Sequence, residues 1–269
     1  MTAFATHFAF EFKTGLRNPI QLFINYLFPL GFYAMMGAVM TQINPGFKET
    51  MAPAMVVFTI MAGTILGLPN PLVDSREAGI YRSFKINGVP ALSILAIPVL
   101  TTIFHVLIAS TIVALTATPF FKGTAPLHWG AFALVALITA FTCGAIGALI
   151  GVISANTQAT VLWSQLIFLP SMLIGGLMLP TSLLPEAVRP FAALLPTTHA
   201  MQAFLGFAYD QSTTLNPAVS LGVLLTGGLL AFGLAIYLFN WDSKNQARRG
   251  HPLMALLALA PFVISIFLQ

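Results

Sequence analysis

Charge is what this 269-residue chain has least of: Asp, Glu, Lys and Arg together make up 7% of it, against 58% hydrophobic residues. A soluble domain carries about 25% charged residues, so this chain cannot clothe a globular surface in polar groups. It reads as an integral membrane protein. Cysteine is nearly absent too, and the single one, Cys143, excludes an intrachain disulfide and any cysteine-based metal cluster. The net charge of +4 does not indicate nucleic acid, because the eleven Lys and Arg residues are scattered between apolar runs and form no basic patch.

Catalytic signatures are missing as well. There is no HExxH, no GxSxG, and no GxxxxGK[ST] loop to cradle nucleotide phosphates. Ionisable groups inside a bilayer are costly and mark chemistry, yet the apolar runs hold almost none. The chain therefore reads as no enzyme by itself, with no cofactor or metal bound, and any nucleotide energy has to arrive from another chain. His105 is the main exception and reads better as hydrogen-bonded structure than as a proton relay, while His199, in the outer segment, reads as surface structure. Residues 1–19 lack the basic start, continuous apolar middle and small-residue cleavage site of a signal peptide.

What is present is a series of apolar runs: residues 20–40, 52–68, 91–118, 129–153, 160–179 and 219–239. Each approaches or exceeds the roughly 20 residues that cross a bilayer, the second with help from its flanks. The expected fold is all-α, a single transmembrane domain over residues 1–269 with six spans. Ahead of them, residues 1–18 form an amphipathic helix: Phe4, Phe8, Phe12 and Leu16 recur at four-residue steps, a pattern for lying in the membrane interface. Residues 180–217 are broken by prolines into pieces too short to cross, and read as short re-entrant helices on the outer side. Residues 252–268 form one further apolar run of marginal length, which fits a seventh span or an interfacial helix, the span being favoured.

Orientation follows from the basic residues. With the N-terminus inside, Lys13, Arg17, Arg76, Arg82, Lys85, Lys244, Arg248 and Arg249 fall on the cytoplasmic side, and Lys48, Lys122 and Arg189 outside. The longest charged interruption, residues 70–90, is then a cytoplasmic loop. Asp74 is placed to cap a helix with Glu77 reaching back. Ile80, Tyr81 and Phe84 follow as an apolar ridge facing the cytosol, which needs a membrane or a protein to cover it. Small residues pair at Gly63 and Gly67 and at Gly147 and Gly151, a spacing for close helix packing, within the chain in preference to a dimer seam. Gln21 and Asn25, one turn apart, fit two roles: lining a translocation path, or bonding neighbouring helices.

These features together resemble the membrane subunit of type-2 ATP-binding-cassette (ABC) exporters. The loop is similar to that family's RE-x-G segment with a following hydrophobic residue and a later proline, here Arg76, Glu77, Gly79, Phe84 and Pro90. The outer segment is similar to a second signature, here Gly176, Pro180, Leu184, Pro185, Pro196 and Thr198. Gly175 stands where the family often has Ser, and residues 252–268 follow where relatives usually stop. The resemblance implies a permease that pairs with a second permease copy, identical or paralogous, and with two copies of an ABC ATPase holding ATP and Mg. It implies that Arg76, Glu77, Gly79, Ile80, Tyr81, Arg82, Phe84 and Lys85 form a coupling helix seated on that ATPase. It places Gly176, Pro180, Pro185 and Pro196 at an external gate, and a path between the two permeases bounded mainly by spans one, two and five. The expected activity is export of a hydrophobic or amphipathic compound, drug-like or lipid-like, across the cytoplasmic membrane of a prokaryote. A non-transporting membrane scaffold or regulatory subunit is the alternative.

Overall fold

A computed structural model describes residues 3–242 and 250–268. These are all-helical, with no strand among the described residues. Lipid leaves no water to satisfy backbone groups, so apolar crossings must bond within themselves. Six helices are long and apolar enough to do so. In chain order the elements are α1 (Ala3–Arg17), α2 (Pro19–Ile43), α3 (Phe47–Glu77), α4 (Ile80–Ile86), α5 (Ala91–Phe121), α6 (Trp129–Ile153) and α7 (Thr157–Ile174). The short α8 (Arg189–Ala193) and α9 (Pro196–Ala208) follow, then the long α10 (Pro217–Leu238). A 3-10 segment (Pro252–Leu259) leads into α11 (Ala260–Phe267). The six crossings are α2, α3, α5, α6, α7 and α10. The bundle has two ends. One carries α1, α4 and the turn between α6 and α7; the other carries the turns after α2 and α5 and the α8–α9 region.

Helix α3 is the axis of the bundle. Its apolar length is buried on all sides, whereas α2 and α7 keep most of their surface outward. The paired glycines explain how it is surrounded so closely, and all four serve packing within the chain. A Cβ on Gly147 would stand 2.2 Å from the Thr64 carbonyl oxygen, and one on Gly151 would stand 3.1 Å from the Pro69 carbonyl oxygen. Helix α6 therefore rests directly on the α3 backbone. On the other side, Gly63 and Gly67 receive Asn25 of α2. At this level both α2 and α3 loosen into π-helical turns, Phe23–Leu27 and Ala62–Gly67, which pack against each other.

Three expectations change. Asp74 does not cap a helix, because α3 continues unbroken through it to Glu77. The break falls at Gly79, which takes a left-handed φ of 74° after Ala78 N–H donates to Asp74 and Gly79 N–H to Arg76. An Asp-x-x-Glu spacing inside a helix looks the same as one at its start, and here the backbone of α3 already satisfies the amides that Asp74 would have capped. Gly88, with a φ of 73°, ends α4 in the same manner as Val89 N–H reaches the Phe84 carbonyl.

Second, α1 is not simply laid among acyl chains. Phe12 stacks on His105 with ring centres 4.4 Å apart and meets Phe104 edge-on, so this part of its aromatic arc faces α5. Phe8 stacks on Phe12, while Leu16 and Phe10 point outward. The side chain of Phe4 lies outside the described residues, as do Lys244, Arg248 and Arg249.

Third, the C-terminal run reaches farther than its length suggests. A 3-10 helix rises about 2.0 Å per residue against about 1.5 Å for an α-helix, so Pro252–Leu259 and Ala260–Phe267 together extend about 28 Å. The run passes along α10, where Phe262 fills the space left by Gly227, and arrives at Ser265 beside His199 of α9.

The packing predicts a contrast between two glycines. Gly147→Ala should lower the thermal unfolding midpoint in detergent, with an overpacking cost of about 1–3 kcal/mol. Gly233→Ala, which meets nothing within 4 Å, should leave the midpoint unchanged or slightly raised.

Candidate functional site

Arg76 organises the end of the bundle that carries α4. Only 7% of it is exposed. Its guanidinium donates to the carbonyls of Val152 at 3.0 Å, Gly151 at 3.5 Å and Ser154. These are the terminal carbonyls of α6, which have no partner within their own helix and carry its negative dipole end. A planar donor fork suits such a cluster. Two residues earlier, Asp74 accepts from the Thr157 hydroxyl at 3.1 Å, in the first turn of α7. The base therefore sits on the C-terminus of α6 and the acid near the N-terminus of α7. Arg76, expected as a contact for a partner, is spent inside the chain.

Helix α4 is fastened on three sides. Tyr81 is buried, its ring 5.4 Å from Phe239 beyond the end of α10, and burial lifts its hydroxyl well above the usual phenol range. Arg82 pairs with Asp242. Phe84 is half-buried, its ring 5.7 Å from His7 of α1. The expected outward ridge of Ile80, Tyr81 and Phe84 is thus overturned in part: Ile80 stays exposed, while the aromatic pair turns inward, because α1 and the end of α10 offer aromatic surface to meet it. Glu77, Ile80, Arg82, Ser83, Lys85 and Ile86 are exposed, Ile86 at 81%.

Between α1, α4 and the start of α5 lies a cavity of about 300 Å³. Gln21 lines it, and so does His105, whose Nδ1 is 2.7 Å from the Tyr26 hydroxyl. Asn25 does not; it is 2% exposed and wedged against Gly63 and Gly67. The two polar residues of α2 therefore have different surroundings. Gln21 faces a cavity, and Asn25 packs between helices.

At the other end, Gly176 adopts a φ of 86°, which a side chain would strain, and Pro180 leads into a 3-10 turn. Pro196 opens α9, while Pro185 precedes α8. Gly175 is sterically fixed: a Cβ would stand 2.0 Å from the Thr197 hydroxyl, so that hydroxyl already fills the space a serine would take. Gln202 ties the segment together, donating to Thr181 at 2.9 Å and accepting from the Thr214 amide at 2.9 Å. Beside it opens a cavity of about 450 Å³ lined by Glu49, Gly176, Thr181, Gln202 and Thr213. His199 is wholly buried, with Nε2 on the Ala193 carbonyl at 2.8 Å and Nδ1 on the Ser220 hydroxyl at 3.2 Å; burial pushes its pKa down to about 4. Expected at the surface, His199 is instead a buried structural pin, because the carbonyl of Ala193 and the hydroxyl of Ser220 supply the partners that burial requires. No group of three His, Cys, Asp or Glu that could hold a metal occurs among the described residues. Sequence reasoning missed Gln202 and Thr197. The available signal was a glutamine within an apolar stretch, a residue that needs partners when buried.

Arg76 and Glu77 should separate experimentally. Arg76→Ala strands the α6 carbonyls at a cost of about 1–3 kcal/mol, and should lower the unfolding midpoint in detergent. Glu77→Ala should leave it unchanged.

The ABC-2 type transporter family matches residues 2–209. A Bacillus subtilis (strain 168) protein named "Putative transport permease YvfS" is 25% identical over 194 residues, covering 70% of this chain and 78% of the relative. No solved structure matches. The match encloses α1 through α9, including both the Arg76 anchor and the Gln202 segment, and the chain belongs to the ABC-2 type transporter family as a multi-pass membrane permease subunit.

Proposed function

We propose that this chain is the membrane half of an ATP-driven exporter in the cytoplasmic membrane of a prokaryote, with its N-terminus and α4 in the cytoplasm. Two copies of the permease, identical or paralogous, work with two copies of a separate ABC ATPase that hold ATP and Mg. The observation that carries the reading is mechanical. Helix α3 runs from the far end to Glu77 by way of a π-helical turn at Ala62–Gly67 and a bend at Leu68, Arg76 fixes that terminus to α6, and Asp74 holds α7 beside it. A push on α4 would reach three crossings at once.

The contact surface for the ATPase is Glu77, Ile80, Lys85 and Ile86. Apolar Ile86 standing in water next to charged Glu77 and Lys85 suits a partner groove better than solvent. Gly79 gives α4 its direction, and Tyr81, Arg82 and Phe84 hold it there. The Gln202 segment with Gly176, Pro180, Pro185 and Pro196 forms the outer gate, and the cavity of about 450 Å³ beside it is the exit vestibule. The cargo is hydrophobic or amphipathic, in keeping with crossings almost empty of charge. The outward surfaces of α2 and α7 are where the second permease packs.

The test is reconstitution with the ATPase in liposomes. Ile86→Asp and Glu77→Ala should abolish ATP-driven flux of an amphipathic dye and the permease-dependent stimulation of ATP hydrolysis, with the unfolding midpoint kept. Undiminished flux and stimulation in the double variant would reject the coupling surface. Unchanged ATP hydrolysis and no flux in the wild-type assembly would favour a scaffold.

A further inference from the structure

The run that follows α10 extends the length of the bundle. Gly250 and Pro252 border a small cavity beside Arg76 and Ser154, at the end that carries α4. Ser265, in the last turn of α11, stands beside His199 at the opposite end. Between them Ala258 and Phe262 are buried, and the Phe262 ring fills the space over Gly227, where a Cβ would stand 2.6 Å from it. Leu256, Leu257, Val263 and Ile264 are exposed. Pro252–Phe267 holds no charge, and its single hydroxyl, Ser265, is turned inward. That is the division a lipid-facing helix requires, since polar groups in hydrocarbon are costly.

The inward side of the run ends on the imidazole of His199, which gathers three segments. The Ala193 carbonyl at the end of α8 can only accept, so Nε2, 2.8 Å away, carries the proton. Nδ1 is then the acceptor for the Ser220 hydroxyl of α10. Ser265 gives its own proton to the Phe262 carbonyl at 2.7 Å, which leaves its oxygen to accept from Nε2 as a second, longer partner at 3.4 Å. The Phe262 ring lies 5.6 Å from the imidazole and closes that side of it. Helix α8 packs on α11 as well as on α9 and α7. With only five residues it cannot hold its place by its own hydrogen bonds, so its position depends on these neighbours.

We propose that residues 252–268 are a seventh crossing whose outer end is a strut for the outer segment: Phe262 and Ser265 cover His199 and hold α8 and the start of α9 against α10. The family match ends at residue 209, so the strut lies beyond the matched residues. The inference deepens the transport reading by naming what holds the outer gate in place. It takes from that reading only the role of gate and the side called outer.

The tests use the full permease without ATPase or nucleotide. Asn87→Cys and Leu268→Cys, both exposed, are treated singly with a membrane-impermeant maleimide, the buried Cys143 giving no background. Asn87→Cys should label only in inverted vesicles and Leu268→Cys only in intact cells. Labelling of both from one side would overturn the crossing. The reverse pattern would count against the orientation proposed above and leave the crossing standing. The strut is tested by hydrogen exchange in phosphatidylcholine nanodiscs. Phe262→Ala should speed amide exchange over residues 189–200 about tenfold or more, with α6 unchanged. The same variant should open His199 to modification by diethyl pyrocarbonate, and Phe262→Leu, which keeps an apolar cover, should reverse both effects. Ser265→Ala should give a smaller rise over the same residues and serves if Phe262→Ala fails to fold. Unchanged exchange over residues 189–200 in the variants would overturn the strut. So would a rise spread evenly over the crossings, which would mean that the run is only part of the general packing. Absence of ATP-driven flux in the assembled wild type, with these results intact, would count against transport and not against the strut.

Discussion

The fold depends on where one buried guanidinium ends up. The carbonyls that close α6 have no partners in their own helix, and Arg76 reaches in from the end of α3 to supply them. Burying a charge is costly unless it is fully bonded, and removing one partner of such a set costs far more than the set contributes when complete. The arrangement is therefore all or nothing. Once made, it fixes the level at which α3 ends, the direction in which Gly79 releases the chain, and the side from which α4 approaches α1 and the end of α10. Asp74 on Thr157 repeats the logic with opposite sign.

Stiffness is unevenly distributed as a result. Helix α3 meets α6 backbone to backbone at Gly147 and Gly151, so those two helices leave little room for sliding. Across from them, α2 and α3 meet through two π-helical turns and a single wedged Asn25. A π-turn carries wider, less regular hydrogen bonding and is often kept at functional positions. On the proposed orientation, a displacement of α4 would be carried by α3 and α6 together and absorbed where α2 meets them. The far end is tied by different chemistry, the neutral hydrogen bonds made by Gln202 and His199.

Much of this was legible beforehand. Six crossings follow from the apolar runs, because lipid allows little else, and the loop follows from being the one long charged interruption. The glycine pairs signalled close approach, and the structure places them against α3 and within it. The inward turn of Arg76 was not legible: an arginine in a loop has the same charge and spacing whether it faces water or the end of another helix. The same ambiguity concealed Tyr81, since an aromatic residue on a short helix fits an outward ridge and an inward one equally well, and the deciding surface, Phe239, lies far along the chain. The tail shows a third kind of limit. Counting residues at α-helical rise makes 252–268 marginal, and only its 3-10 geometry supplies the extra length.

The central claim is that the α3 terminus, α4 and the α6–α7 turn move as one body. Cys143 is buried, so introduced thiols can be labelled without background. Spin labels on Asn87→Cys and Gln158→Cys, both exposed positions outside the proposed contact surface, would report their separation by pulsed electron double resonance in the assembled transporter, with and without ATP. The account predicts a narrow distance distribution that stays the same in both states and broadens when Arg76→Ala is added. A separation that shifts with nucleotide in the otherwise unaltered protein would contradict it.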